Sequence, residues 1–167
     1  MFFPAKIVAA EALCDFNNRE WMPSIKALIA EPNSSISGRP NEIQLAGLLA
    51  RAGDYSHFQV VSKNAGHGNQ SMRYAAIQAL RNFANRTDPV TDLAGELLIS
   101  AATSDPIPFL RREAIYSLDR LASVKPNVKS KVIDASQANI SSSDKSLSLT
   151  AKAMLMKYGR QTGKNER

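Results

Sequence analysis

The sequence predicts an all-α fold, a right-handed superhelix of about nine helices arranged as four antiparallel hairpins and a final unpaired helix. Three observations carry this expectation. The core must be built from Ala, Leu, Ile and Val, since 44% of the 167 residues are hydrophobic but only 7% are aromatic, and Ala favours helices over strands. Apolar residues recur at i, i+3, i+4, i+7, i+8 and i+11, which makes one stripe of an amphipathic helix. The stripe itself then repeats along the chain.

The repeat emerges on sliding "MRYAAIQALRNF", from Met72, over "LRREAIYSLDRL", from Leu110. A shift of 38 residues superposes Arg73 on Arg111, Ala76 on Ala114, Ile77 on Ile115, Leu80 on Leu118 and Phe83 on Leu121. A further shift of 37 brings Leu147, Ala151, Met154, Leu155 and Tyr158 onto the stripe places of Leu110, Ala114, Ser117, Leu118 and Leu121. Ala5, Val8, Ala9, Ala12, Leu13 and Phe16 occupy them near the start, and a weaker copy has Leu45, Leu48, Leu49 and Ala52. Five anchoring leucines result, Leu13, Leu49, Leu80, Leu118 and Leu155, spaced by 36, 31, 38 and 37 residues. Near-constant spacing with variable loops is expected of equivalent helical units. Ala9, Ala76, Ala114 and Ala151 share the fourth-residue step, where a larger side chain would hold helices apart.

A second set of helices is expected between these, within 19–31, 54–64, 88–102 and 125–138. Asp54 and Asp88 can accept free amides at helix starts, and Pro89 suits a first helical position, where a missing N–H is harmless. Pro106 and Pro108 break the chain before the fourth first-helix. The breaks "EPNSSISGRP", "NAGHGNQ" and "SQANISSSD" are too short to separate independent domains. The expectation is one domain over 1–160, with repeats at about 4–31, 40–64, 70–103 and 107–138, a final helix over 144–158, and a flexible basic tail over 159–167.

The phrase hydrophobic–Arg–x–x–Ala–x–x–x–Leu, visible as "MRYAAIQAL" and "LRREAIYSL", resembles the HEAT repeat of armadillo-like α-solenoids, and the likeness extends from about Ala5 to Tyr158. That resemblance implies a binding scaffold working through its concave, second-helix face. It also implies that Arg73 and Arg111 tie adjacent repeats by bonding to an acidic residue. The matching positions elsewhere are Lys6, Glu42 and Ser148, so the tie is expected for those two arginines alone. HEAT-like folds include DNA glycosylases and relatives of phycobilin lyases, but Trp21, the sole tryptophan, reads as core or end-face packing.

No motif compels an enzyme, and none is expected. Cys14 is the only cysteine, which excludes an internal disulfide and a multi-cysteine metal site. It reads as a small buried residue. His57 and His67, the only histidines, lack neighbouring ligands at metal-binding spacing. The serines cluster in loops whose turn chemistry explains them, and Asp144 is placed as the cap of the last helix. "AGHGNQS" lacks the order of a phosphate loop. Neither a cofactor nor a metal is expected.

Charge supplies the candidate surfaces. Residues 1–110 hold 9 Lys/Arg and 10 Asp/Glu, whereas residues 111–167 hold 12 and 5. Asp92 and Glu96, four apart on a second helix, form an acidic ridge suited to a basic peptide. Lys129 and Lys131 are the exposed contacts expected on the last second-helix. Arg112 lies about 100° round the helix from Arg111 and is expected to face solvent or a partner. The partner class expected first is a protein or peptide. The alternatives are nucleic acid bound through the basic C-terminal third, salt-sensitively, and a role as accessory module of a larger enzyme. Self-association through the apolar Met1, Phe2 and Phe3 is a further expectation, because an open stack end needs a cap or a neighbour. No signal peptide or membrane span is read, and the expected location is cytoplasmic.

Overall fold

The computed structural model describes residues 12–13, 19–31, 36–83 and 89–162. Among the described residues there are eight α-helices and no strand, against the nine or so helices expected. The segment expected to supply the first, apart from Ala12 and Leu13, lies outside the described residues. The chain divides into two compact units, Met1–Phe83 and Ala84–Arg167.

The first unit holds α1 (Met22–Ala30), α2 (Pro40–Arg51), α3 (Phe58–Ser62) and α4 (Gln70–Leu80). Helix α2 is its centre, packing against α1, α3 and α4. Entry to α2 requires Gly38 in the left-handed region, with φ 68°, which a glycine adopts without strain. The Gly38 N–H donates to Glu42 Oε2 at 2.7 Å, and Pro40 follows at the first helical position. The helix closes on Gly53, φ 95°, where Asp54 N–H donates to the Leu49 carbonyl and Gly53 N–H to that of Ala50, the paired bonds of a Schellman end. The core comprises Trp21, Ile25, Ile36, Leu45, Leu48, Leu49 and Ala52. Phe83 is fully buried, edge-on to Phe58 with ring centroids 5.1 Å apart. Helices α2 and α4 touch through Gly47: a Cβ added there would lie 2.7 Å from Ala79 Cβ and 2.9 Å from its Cα.

Helix α3 is shorter than the expected 54–64. Asp54 does not cap it. Its Oδ1 accepts from the Ser56 N–H and hydroxyl at 3.0 and 2.7 Å, which folds 54–57 into a turn, and the helix starts after His57. Asn64 then closes the segment, donating to the Val60 carbonyl at 2.8 Å.

The second unit holds α5 (Val90–Ser104), α6 (Pro108–Val124), a 3₁₀ turn (Pro126–Val128), α7 (Lys129–Asn139) and α8 (Lys145–Thr162). Helix α5 packs on α6 and α7, and α8 on α6 and α7, so α5 and α7 form one layer, α6 and α8 the other. Asp105 Oδ1 accepts the Ile107 N–H at 2.9 Å and turns the chain into α6, with Pro108 at the start as expected. Asp144 caps α8 as expected, accepting the Leu147 N–H at 2.8 Å. Helix α8 runs to Thr162, beyond the Tyr158 end expected; residues 163–167 of the tail lie outside the described residues.

Leu49, Leu80 and Leu118 are all 0% exposed, and so are Ala76, Ala114 and Ala151. Leu155 is half-buried, and Leu13 is exposed. Ala5, Val8, Ala9, Cys14, Phe16 and Asp88 lie outside the described residues.

Candidate functional site

The candidate residues of the second unit sit on a ladder of polar contacts, each joining a helix to its neighbour in the same layer. Asp92 occupies the first turn of α5. Lys125, from the chain entering the 3₁₀ turn, donates to its Oδ2 at 2.7 Å, and Asn127 Nδ2 lies 3.4 Å from Oδ1. One helical turn on, Glu96 pairs with Lys131 of α7. The aliphatic stem of Lys131 crosses Gly95, its Cδ 3.5 Å from where a Cβ would stand. A side chain there would crowd the stem.

Asp92 and Glu96 therefore do not act on each other; each takes a cation from the next helix. The hydrogen bond from Lys125 holds the Asp92 carboxyl below its ordinary range, aided by Asn127 and the charge of Lys131. The side chains of Asp92 and Glu96 remain 50% and 62% exposed, those of Lys125 and Lys131 only 15% and 22%. Lys129 opens α7 and is also half-buried. The two lysines expected as exposed contacts are thus partly covered, Lys131 because its stem lies across Gly95 of α5.

Arg112 departs from expectation in the same sense. It ties α6 to α8 rather than standing clear, donating from Nη1 to Ser146 Oγ at 2.6 Å with its guanidinium 5.1 Å from the Phe109 ring centroid. Arg73 Nη1 donates to the carbonyls of His67 and Gly68 at 2.9 and 3.1 Å, so it secures the loop ahead of its own helix. His67 accepts the Asn69 N–H on Nδ1 at 3.0 Å.

Asp119 was not singled out by the sequence, yet it accepts two donors from the neighbouring helix of the second layer. Lys157 Nζ and Tyr158 Oη, both on α8, donate to its Oδ1 at 2.6 and 2.5 Å. The bond to Asp119 raises the Lys157 ammonium above its usual range. Burial, and then Asp119, raises the Tyr158 phenol. Tyr116 Oη meets Thr150 Oγ1 at 3.2 Å. The signal for these contacts lay in the repeat itself, since opposite charges or paired hydroxyls one repeat apart fall side by side in a layer.

Among the described residues, no group of three or more His, Cys, Asp or Glu is placed to hold a metal ion, and no helix is long and apolar enough to cross a membrane. Met1, Phe2 and Phe3, expected at a self-associating end, lie outside the described residues. Chemically the ladder offers half-exposed carboxylates already holding ammonium groups, an arrangement suited to exchanging one cation for another. No family model, curated protein or solved structure matches the chain.

Proposed function

We propose that the chain is a non-enzymatic binding scaffold of HEAT-like helical repeats, taking a protein or peptide on the face formed by α5 and α7. The observation that carries this reading is the state of Asp92 and Glu96: each holds a lysine while about half its side chain stays in solvent. Ion pairs with a solvent-exposed carboxylate contribute little to stability, so a basic peptide can compete with Lys125 and Lys131 for Asp92 and Glu96. Leu93, 53% exposed beside Asp92, adds an apolar contact. Titration with a fluorescent Arg- and Lys-rich peptide tests the reading. Asp92→Asn with Glu96→Gln should abolish binding, and unchanged affinity in that variant would remove this face as the site.

The nucleic-acid alternative draws on the same ladder, since Lys125, Lys131 and Lys157 would each have to leave a carboxylate to meet phosphate. A salt titration with single-stranded DNA decides it. A steep fall of log affinity with log salt would favour that reading.

A further inference from the structure

Helix α8 carries an edge that the rest of its layer explains. In α6, the stripe Arg112, Ile115, Asp119 faces α8: Arg112 reaches Ser146, Asp119 takes Lys157 and Tyr158, and Ile115 is fully buried. Advancing by the repeat of 37 residues maps this stripe onto Leu149, Lys152 and Met156 of α8. Those positions point outward, with Leu149 66% and Met156 58% exposed. Lys145, Leu149, Lys152 and Met156 are spaced by 4, 3 and 4 residues, so they form a single stripe on one side of the helix. Leu155, which corresponds to the fully buried Leu118, is left half-buried beside it.

We infer that this edge is a docking surface for an amphipathic helix with an acidic flank, supplied by a protein partner. The position is continuous with an interface that already takes a helix, because the equivalent edge of α6 receives α8. Its chemistry sets the partner's charge. Helix α8 contains no Asp or Glu along Lys145–Thr162, and the nearby Asp144 has its Oδ1 on the helix N-terminus. Leu149 and Met156 ask for apolar knobs at helical spacing, while Lys145 and Lys152 between them ask for carboxylates. A two-fold pairing of this edge with itself would gather lysines from both copies with no carboxylate of α8 to face them. The surface is distinct from the α5–α7 face and does not depend on Asp92 or Glu96.

The test uses the full chain and a synthetic helical peptide with a Leu stripe flanked by Glu, followed by fluorescence anisotropy. Leu149→Ser with Met156→Ser should weaken binding by at least about tenfold, as loss of apolar anchors does. Lys145→Glu with Lys152→Glu should also weaken it, and should make a Lys-flanked version of the peptide the better ligand. Asp92→Asn with Glu96→Gln should leave this binding intact, which separates the two proposed faces. The substituted residues are exposed, so the helical circular dichroism should be unchanged. Equal binding of acidic and basic peptides, or of wild type and both variants, would overturn the inference. So would binding to phosphatidylserine vesicles, or dimerisation of the chain, that disappears with Leu149→Ser and Met156→Ser while the acidic peptide fails to bind.

Discussion

The two units differ in how helices one repeat apart are held. In the first, α2 and α4 meet because a side chain is missing: Gly47 lets the backbone of Ala79 approach to a distance no Cβ tolerates. In the second, successive helices are joined by polar side chains, with Asp92 on Lys125, Glu96 on Lys131, Arg112 on Ser146 and Asp119 on Lys157 and Tyr158. The close approach is rigid, since backbone cannot yield. The ladder is adjustable, since long side chains can change partners, and the candidate binding residues belong to it.

The largest effect should therefore come from Gly47→Val, which forces the α2–α4 contact open at a cost of about 3 kcal/mol. Its urea midpoint should fall accordingly, and a midpoint within error of wild type would break the comparison at its root. Ala114→Leu, at a 0% exposed site of the second unit, should cost about 1–3 kcal/mol. The outward Ala153→Leu should be nearly neutral in the same assay. Asn139→Ala comes next, because Asn139 Nδ2 donates to the Ala102 carbonyl of the neighbouring helix at 2.8 Å and to Ala135 at 2.7 Å. Leaving the Ala102 carbonyl unpaired should cost about 1–2 kcal/mol by denaturation.

Asp54 sharpens the comparison from the first unit, where it holds Lys26 of α1. Burial pushes its carboxyl up, but hydrogen bonds from Lys26 and Ser56 outweigh that and hold it at about 2. A carboxyl lowered in the folded state stabilises fully above its unfolded value of 3.8 and loses that contribution as pH falls towards 2. Asp54→Asn should thus cost about 1 kcal/mol at pH 6 and little at pH 2, measured by urea midpoints at both. The smallest effect belongs to the ladder: Glu96→Gln should change stability by less than about 1 kcal/mol, and by less still in high salt.

Much of the architecture was legible in the sequence because the apolar stripe is set by helix geometry alone. Leu49, Leu80 and Leu118 are buried where the repeat places them, and Asp144 caps the helix it precedes. Leu155, at the matching place of the last described helix, is only half-buried. Charges were less legible. Asp92 and Glu96 read as a ridge when only their own helix is considered, yet their partners stand 33 and 35 residues on. Arg112 reads as solvent-facing because Ser146, 34 residues away, carries no charge to mark it as a partner. A cap depends on its neighbours in the chain, whereas a ladder depends on how one helix is set against the next.

Trp21, the sole tryptophan, is packed in the core of the first unit, while the second unit holds Tyr116 and the buried Tyr158. Trp21 thus reports on the first unit alone, whereas Tyr55 and Tyr74 of the first unit share the phenol signal with Tyr116 and Tyr158 of the second. Indole emission follows the loosening of the core around Trp21, and once Tyr55→Phe and Tyr74→Phe have removed the two phenols of the first unit, phenol absorbance follows the second. Coincident transitions would mark one cooperative body, and separated ones two bodies that melt in turn.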